Sequence, residues 1–78
     1  MTIYQILKEA GAEMDSHYSD LYVKATPEAT EILKRCGRTL TGFRSQTDGA
    51  WWYDLPFCYD PYWEKRGVKP VPVKGDVS

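Results

Sequence analysis

Apolar residues recur at helical spacing in two stretches of the chain. Ile3, Ile6, Leu7 and Ala10 form one stripe, and Ala29, Ile32, Leu33 and Cys36 form the other. Such a period places each set on one side of an α-helix. The flanking residues agree. Thr2 is suited to cap the first helix, Lys8 lies in its last turn, and Gly11 takes the left-handed closing position. The second start is stronger: Thr26 is a hydroxyl cap, and Pro27 sits where a missing N–H costs nothing. Glu28 meets the positive end of the helix dipole. Lys34 and Arg35 lie at the negative end, and Gly37 closes the helix. Ile6-Leu7-Lys8 before Gly11 echoes Ile32-Leu33-Lys34 before Gly37. Shared start and stop signals account for the echo, since the residues after each glycine do not match.

Between the helices the period changes to two. From His17 to Ala25, Leu21, Val23 and Ala25 alternate with Tyr18, Asp20, Tyr22 and Lys24, the pattern of a half-buried strand. Residues 39–47 and 50–55 flank Asp48-Gly49, a strong two-residue hairpin signal. That turn pairs Ser45 with Trp52, Arg44 with Tyr53 and Phe43 with Asp54. Leu40, Gly42, Arg44, Trp51, Tyr53 and Leu55 then share the face toward the helices, and Thr41, Phe43, Ser45, Trp52 and Asp54 share the other. A register slip of one residue would exchange Trp51 and Trp52 between the faces. Asp60, Pro61 and Gly67 predict a short helical turn capped by Asp60. Beyond it, residues 68–78 alternate proline with small apolar residues and predict an extended, mobile tail outside a single domain of residues 1–67.

The fold expected is α+β: an antiparallel three-stranded sheet with two helices on one face, in the order helix, strand, helix, strand, strand. The strand at Leu21–Ala25 joins the hairpin at an edge, and the strand order is left open.

Length limits the core. A chain of 78 residues buries only roughly 60 % of the surface its unfolded form exposes. At 42 % hydrophobic and 27 % charged residues it is nevertheless an ordinary globular composition, so disorder throughout is excluded. Ten Lys and Arg against eleven Asp and Glu leave a net charge of −1. General nucleic-acid binders are strongly basic, so a charged partner must meet a local patch. No apolar run spans a bilayer and the start does not read as a signal peptide, so a cytoplasmic protein without membrane contact is expected. Two cysteines make no disulfide framework.

Candidate chemistry is thin. His17, Cys36 and Cys58 match no metal-ligand spacing, and Cys36 falls on a buried stripe where a packed thiol is expected. His17 is the one histidine and has no nucleophile at a recognisable spacing. Asp54 and Asp60 could pair as acid and base. Each has a plainer role: Asp54 faces outward on the return strand and Asp60 caps a helix. No glycine-rich phosphate loop is present. The sequence therefore predicts a non-enzymatic protein without metal or cofactor.

Aromatic residues change that reading. Eleven of the 78 residues are Phe, Trp or Tyr, and seven crowd between Trp51 and Trp63. Most of this surplus is expected in the core. Tyr18, Tyr22, Phe43 and Trp52, with Asp54, are expected outward, where tyrosine and tryptophan serve as binding hot spots. Lys34, Arg35 and Arg38 form a basic cluster expected at the rim.

Five segments carry a resemblance: Asp20-Leu-Tyr-Val-Lys24, Thr26-Pro-Glu28, Asp48-Gly49, Trp52-Tyr-Asp-Leu-Pro-Phe57 and Tyr59-Asp-Pro-Tyr-Trp-Glu64. Together, over residues 1–67, the pattern resembles small phage and prophage proteins of Gram-negative bacteria. The resemblance implies a protein that binds and disables a host protein or ribonucleoprotein complex, as anti-CRISPR proteins and inhibitors of restriction or transcription do. Two alternatives stand beside it. One is a small nucleic-acid-binding regulator using Lys34, Arg35 and Arg38 with stacking aromatics. The other is a structural phage component.

Overall fold

A computed structural model describes residues 1–73. Thr2 opens α1 (Ile3–Glu9) through a capping box: its hydroxyl accepts the Gln5 N–H at 3.2 Å, and the Gln5 side chain accepts the Thr2 N–H at 2.9 Å. Thr26 caps α2 (Pro27–Arg35) by accepting the Ala29 N–H at 3.1 Å. Both helices finish alike. The N–H groups of Gly11 and Ala12 reach back to Lys8 and Leu7, and those of Gly37 and Arg38 to Lys34 and Leu33. This is the paired-bond ending that a left-handed glycine permits, and it is the physical content of the sequence echo.

Four strands form one antiparallel sheet. β1 (Met14–His17), β2 (Asp20–Lys24), β3 (Gly42–Arg44) and β4 (Trp51–Leu55) lie in the order β1-β2-β4-β3. The coarse α+β reading holds, and three of its details are corrected. The sheet has four strands rather than three. The segment starting at His17 is not one strand: His17 ends β1, Tyr18 and Ser19 make a tight turn, and β2 starts at Asp20. β2 is consequently internal, flanked by β1 and β4.

The third detail is hairpin register. Arg44 faces Trp51, Phe43 faces Trp52 and Gly42 faces Tyr53, two residues away from the expected pairing. The loop is longer than Asp48-Gly49 alone. The Ser45 N–H bonds the Ala50 carbonyl at 2.8 Å and the Gly49 N–H bonds the Ser45 carbonyl at 2.9 Å, so residues 46–49 make the turn. Gly49 closes it at φ +70°. The Asp48 carboxylate accepts the Ala50 N–H at 2.9 Å, which holds its pKa below the ordinary value. A two-residue shift preserves the alternation of faces, so each side chain stays on its expected side.

The inner face of the sheet packs under α1 and α2. Ile3, Leu7, Leu21, Val23, Ala29, Leu33 and Leu55 form the buried core. Leu40 and Tyr53 lie at its margin as half-buried neighbours, and Tyr53 shares a 2.7 Å hydrogen bond with Thr30 of α2. Ala10, expected on the α1 stripe, is exposed. Every core residue is aliphatic. None of the eleven aromatic residues is buried, against the expectation that most of the surplus fills the core.

α3 (Asp60–Lys65) differs from its expected start. Tyr59 occupies the cap position without a side-chain bond. Asp60 is buried and accepts a hydrogen bond from the Thr2 hydroxyl, fastening α3 to the start of α1. From Val68 the chain runs extended and returns to the domain: the Val73 N–H bonds the Met1 carbonyl at 3.0 Å, and Val73 packs against the core. Residues 74–78 of the expected tail lie outside the described residues.

Candidate functional site

The outer face of the sheet is built by alternation. On β2, Leu21 and Val23 point into the core, so Asp20, Tyr22 and Lys24 point away from the helices. Register then fills in the neighbours. Tyr22 is flanked by Asp15 on β1 and Asp54 on β4. Lys24 is followed across the sheet by Trp52 and then Phe43. His17 stands opposite Asp20. The face is thus a grid of aromatic and acidic side chains with no helix over it.

The rings touch. Tyr22 and Phe43 meet edge to face with centroids 5.0 Å apart, although β4 separates their strands. The contact therefore bridges β4 beside Asp54, the residue opposite Tyr22. The His17 ring lies parallel to Tyr22, centroids 6.4 Å apart, and meets Tyr18 edge-on at 4.6 Å. The Trp52 indole N–H reaches the Asp48 carboxylate at 3.4 Å. Phe43 is 38 % exposed, and Tyr22 and Trp52 are half-buried.

Electrostatics on this face are unfavourable to its own acids. Asp54 Oδ1 is shut off from water and has no hydrogen-bond partner among the described residues. Burial, then the neighbouring Asp20, raises the Asp54 pKa above its ordinary value, while His17 pulls it back. Burial also raises the Tyr22 phenol, followed by the repulsion of Asp54, Asp20 and Asp15. Lys24 is engaged elsewhere, 3.2 Å from Glu13.

The expected site residues separate into two groups. Tyr22, Phe43, Trp52 and Asp54 come together on the outer face. Tyr18 sits at its end, 73 % exposed in the β1–β2 turn with φ +55°. Lys34 and Arg35 do not form a rim to this surface, whereas Arg38 lines a concavity together with Thr41 and Asp54. Lys34 and Arg35 end α2, which lies on the opposite side of the sheet. The Arg38 guanidinium bonds the Cys58 sulfur at 3.3 Å. Trp51 is on the helix side yet 53 % exposed, with the Arg44 guanidinium over its ring, 5.1 Å from the centroid. Asp15, Asp20 and His17 complete the outer face and were not singled out by sequence. The signal for the first was the alternation Met14-Asp15-Ser16-His17, too polar to read as a strand alone.

A second concavity lies on the far side. A groove of about 870 Å³ runs between the α2 terminus, α3 and the returning chain, lined by Ile3, Arg38, Cys58, Trp63, Val68 and Val71 among others. Burial raises the Cys36 and Cys58 thiols above their ordinary pKa, opposed in both by Arg38. Among the described residues, no three His, Cys, Asp or Glu converge as a metal site, and no helix is long and apolar enough to cross a membrane. The chain matches no protein-family profile, no curated protein and no solved structure.

Proposed function

We propose that this protein is a non-enzymatic, protein-binding inhibitor, phage-encoded and acting in the bacterial cytoplasm, whose outer sheet face docks on a host defence complex such as a CRISPR effector. The observation that carries the docking reading is the gathering of Tyr22, Phe43, Trp52 and Asp54 on a sheet face that no helix covers. An open face of touching rings is costly in water unless it is covered by a partner, and such rings concentrate binding energy. The phage origin and the class of target rest on the sequence resemblance.

The nucleic-acid reading is less well supported. It needs cations and stacking rings on one surface. Here Lys34 and Arg35 lie across the sheet from Trp52 and Tyr22; on the rings' own face Lys24 stands opposite Trp52 but pairs with Glu13, and Asp15, Asp20 and Asp54 border Tyr22.

Affinity capture with the purified chain from bacteria carrying a CRISPR effector tests the proposal. Trp52→Ala weakens capture of a stoichiometric protein partner by about 2 kcal/mol or more, roughly thirtyfold, with an unchanged circular dichroism spectrum. Lys34→Ala, on the other side, leaves capture unchanged. Equal capture by wild type and Trp52→Ala contradicts the proposal.

A further inference from the structure

Resting on the reading that the outer face docks a protein, we propose that this face receives an arginine side chain of the partner, seated against Asp54 and Asp20 with Tyr22, Phe43 and Trp52 as its walls. Three observations select that chemistry. First, carboxylates outnumber cations on this face, where Lys24 and His17 are the basic side chains. Asp15, Asp20 and Asp54 surround Tyr22 in the sheet, while the neighbouring Lys24 is already engaged by Glu13 at 3.2 Å. Second, a donor is missing. Asp54 Oδ1 is out of water with no partner among the described residues, a destabilising condition that a donor can relieve only by displacing the side chains that cover it. Third, the walls are aromatic. Tyr22 and Phe43 meet across β4 beside Asp54, and Trp52 stands opposite Phe43.

Guanidinium satisfies all three conditions at once. It is planar, stacks on aromatic rings, is weakly hydrated and presents a fork of N–H donors to a carboxylate. Lysine offers a compact, strongly hydrated charge without a stacking plane. The same carboxylates repel phosphate, so a nucleic-acid backbone is disfavoured at this face.

Short oligo-arginine and oligo-lysine peptides of equal length are the probes, titrated into the ¹⁵N-labelled full chain at physiological salt. The expected result is arginine binding about tenfold or more tighter than lysine, with shifts centred on Tyr22, Asp54 and the Trp52 indole N–H. Asp54→Asn and Asp20→Asn each weaken arginine binding by about tenfold, the size of a lost charge-assisted hydrogen bond. Both variants are near-isosteric, and their free spectra report whether the fold is kept. Should either be disordered, the intact wild-type comparison of the two peptides decides. Equal affinity for the two peptides, no binding, shifts centred on another face, or indifference to both folded variants overturns the inference. Loss of arginine selectivity with Trp52-dependent protein capture intact would remove only the inference. Selective arginine binding without protein capture would remove only the inhibitor reading.

Discussion

Leu33 has no exposed surface, and it meets sheet residues Leu21, Val23 and Leu55 in a core of seven aliphatic side chains. So small a core offers few neighbours to refill a hole. Leu33→Ala therefore costs about 2–5 kcal/mol, a large share of the stability of a small domain, and urea denaturation measures the loss. Asp54 acts in the opposite sense. Its folded pKa is raised, so the folded chain binds this proton more tightly than the unfolded chain. The ionised carboxylate is thus a destabilising group above the raised value. The penalty is lifted as pH falls through that value toward the ordinary 3.8. Asp54→Asn is expected to melt higher than wild type at neutral pH, with the difference shrinking over that acid window. Thermal melts of both proteins across the window check it.

Each element was legible to the extent that its signal was local. α1 and α2 were placed by caps, stripe and closing glycine, all within the helix itself, and only the Gln5 half of the first capping box went unread. β1 was hidden because Met14-Asp15-Ser16-His17 carries one apolar residue. The turn that pairs it with β2 uses Tyr18 where glycine is usual. Asp60 resembled a cap, but a partner 58 positions away, Thr2, claims its carboxyl. The hairpin register failed for a related reason: Ser45, Asp48 and Gly49 cooperate in a four-residue loop rather than a two-residue turn. The outer face kept its expected side chains because the slip was even. Beside the Phe43–Trp52 pair, Gly42 lets the two strands approach closely: an added Cβ would lie 3.0 Å from the Trp52 carbonyl oxygen. That carbonyl would have to give by a few tenths of an ångström. Gly42→Ala is expected to cost about 1–3 kcal/mol, the range of an overpacked site. It should also free β3 from β4, seen as faster amide exchange at Ser45 and Asp54, whose N–H groups bond the Ala50 and Thr41 carbonyls, with α1 unaffected.

At the scale of the whole molecule the two sides differ in kind. The helix side covers an aliphatic core and carries Lys34 and Arg35, whereas the other side is an open sheet of Tyr22, Phe43 and Trp52 among carboxylates. Composition had signalled the aromatic surplus, but its placement depended on how little aromatic volume so thin a core accepts. The account stands on one claim, that the partner sits on the open sheet. Photo-crosslinking in bacteria tests it most directly, with benzoylphenylalanine placed at Phe43 on the sheet or at Arg35 on the helix side, both exposed positions. The account predicts a discrete protein adduct from position 43 and none from position 35. An adduct from position 35 with none from position 43 would contradict it.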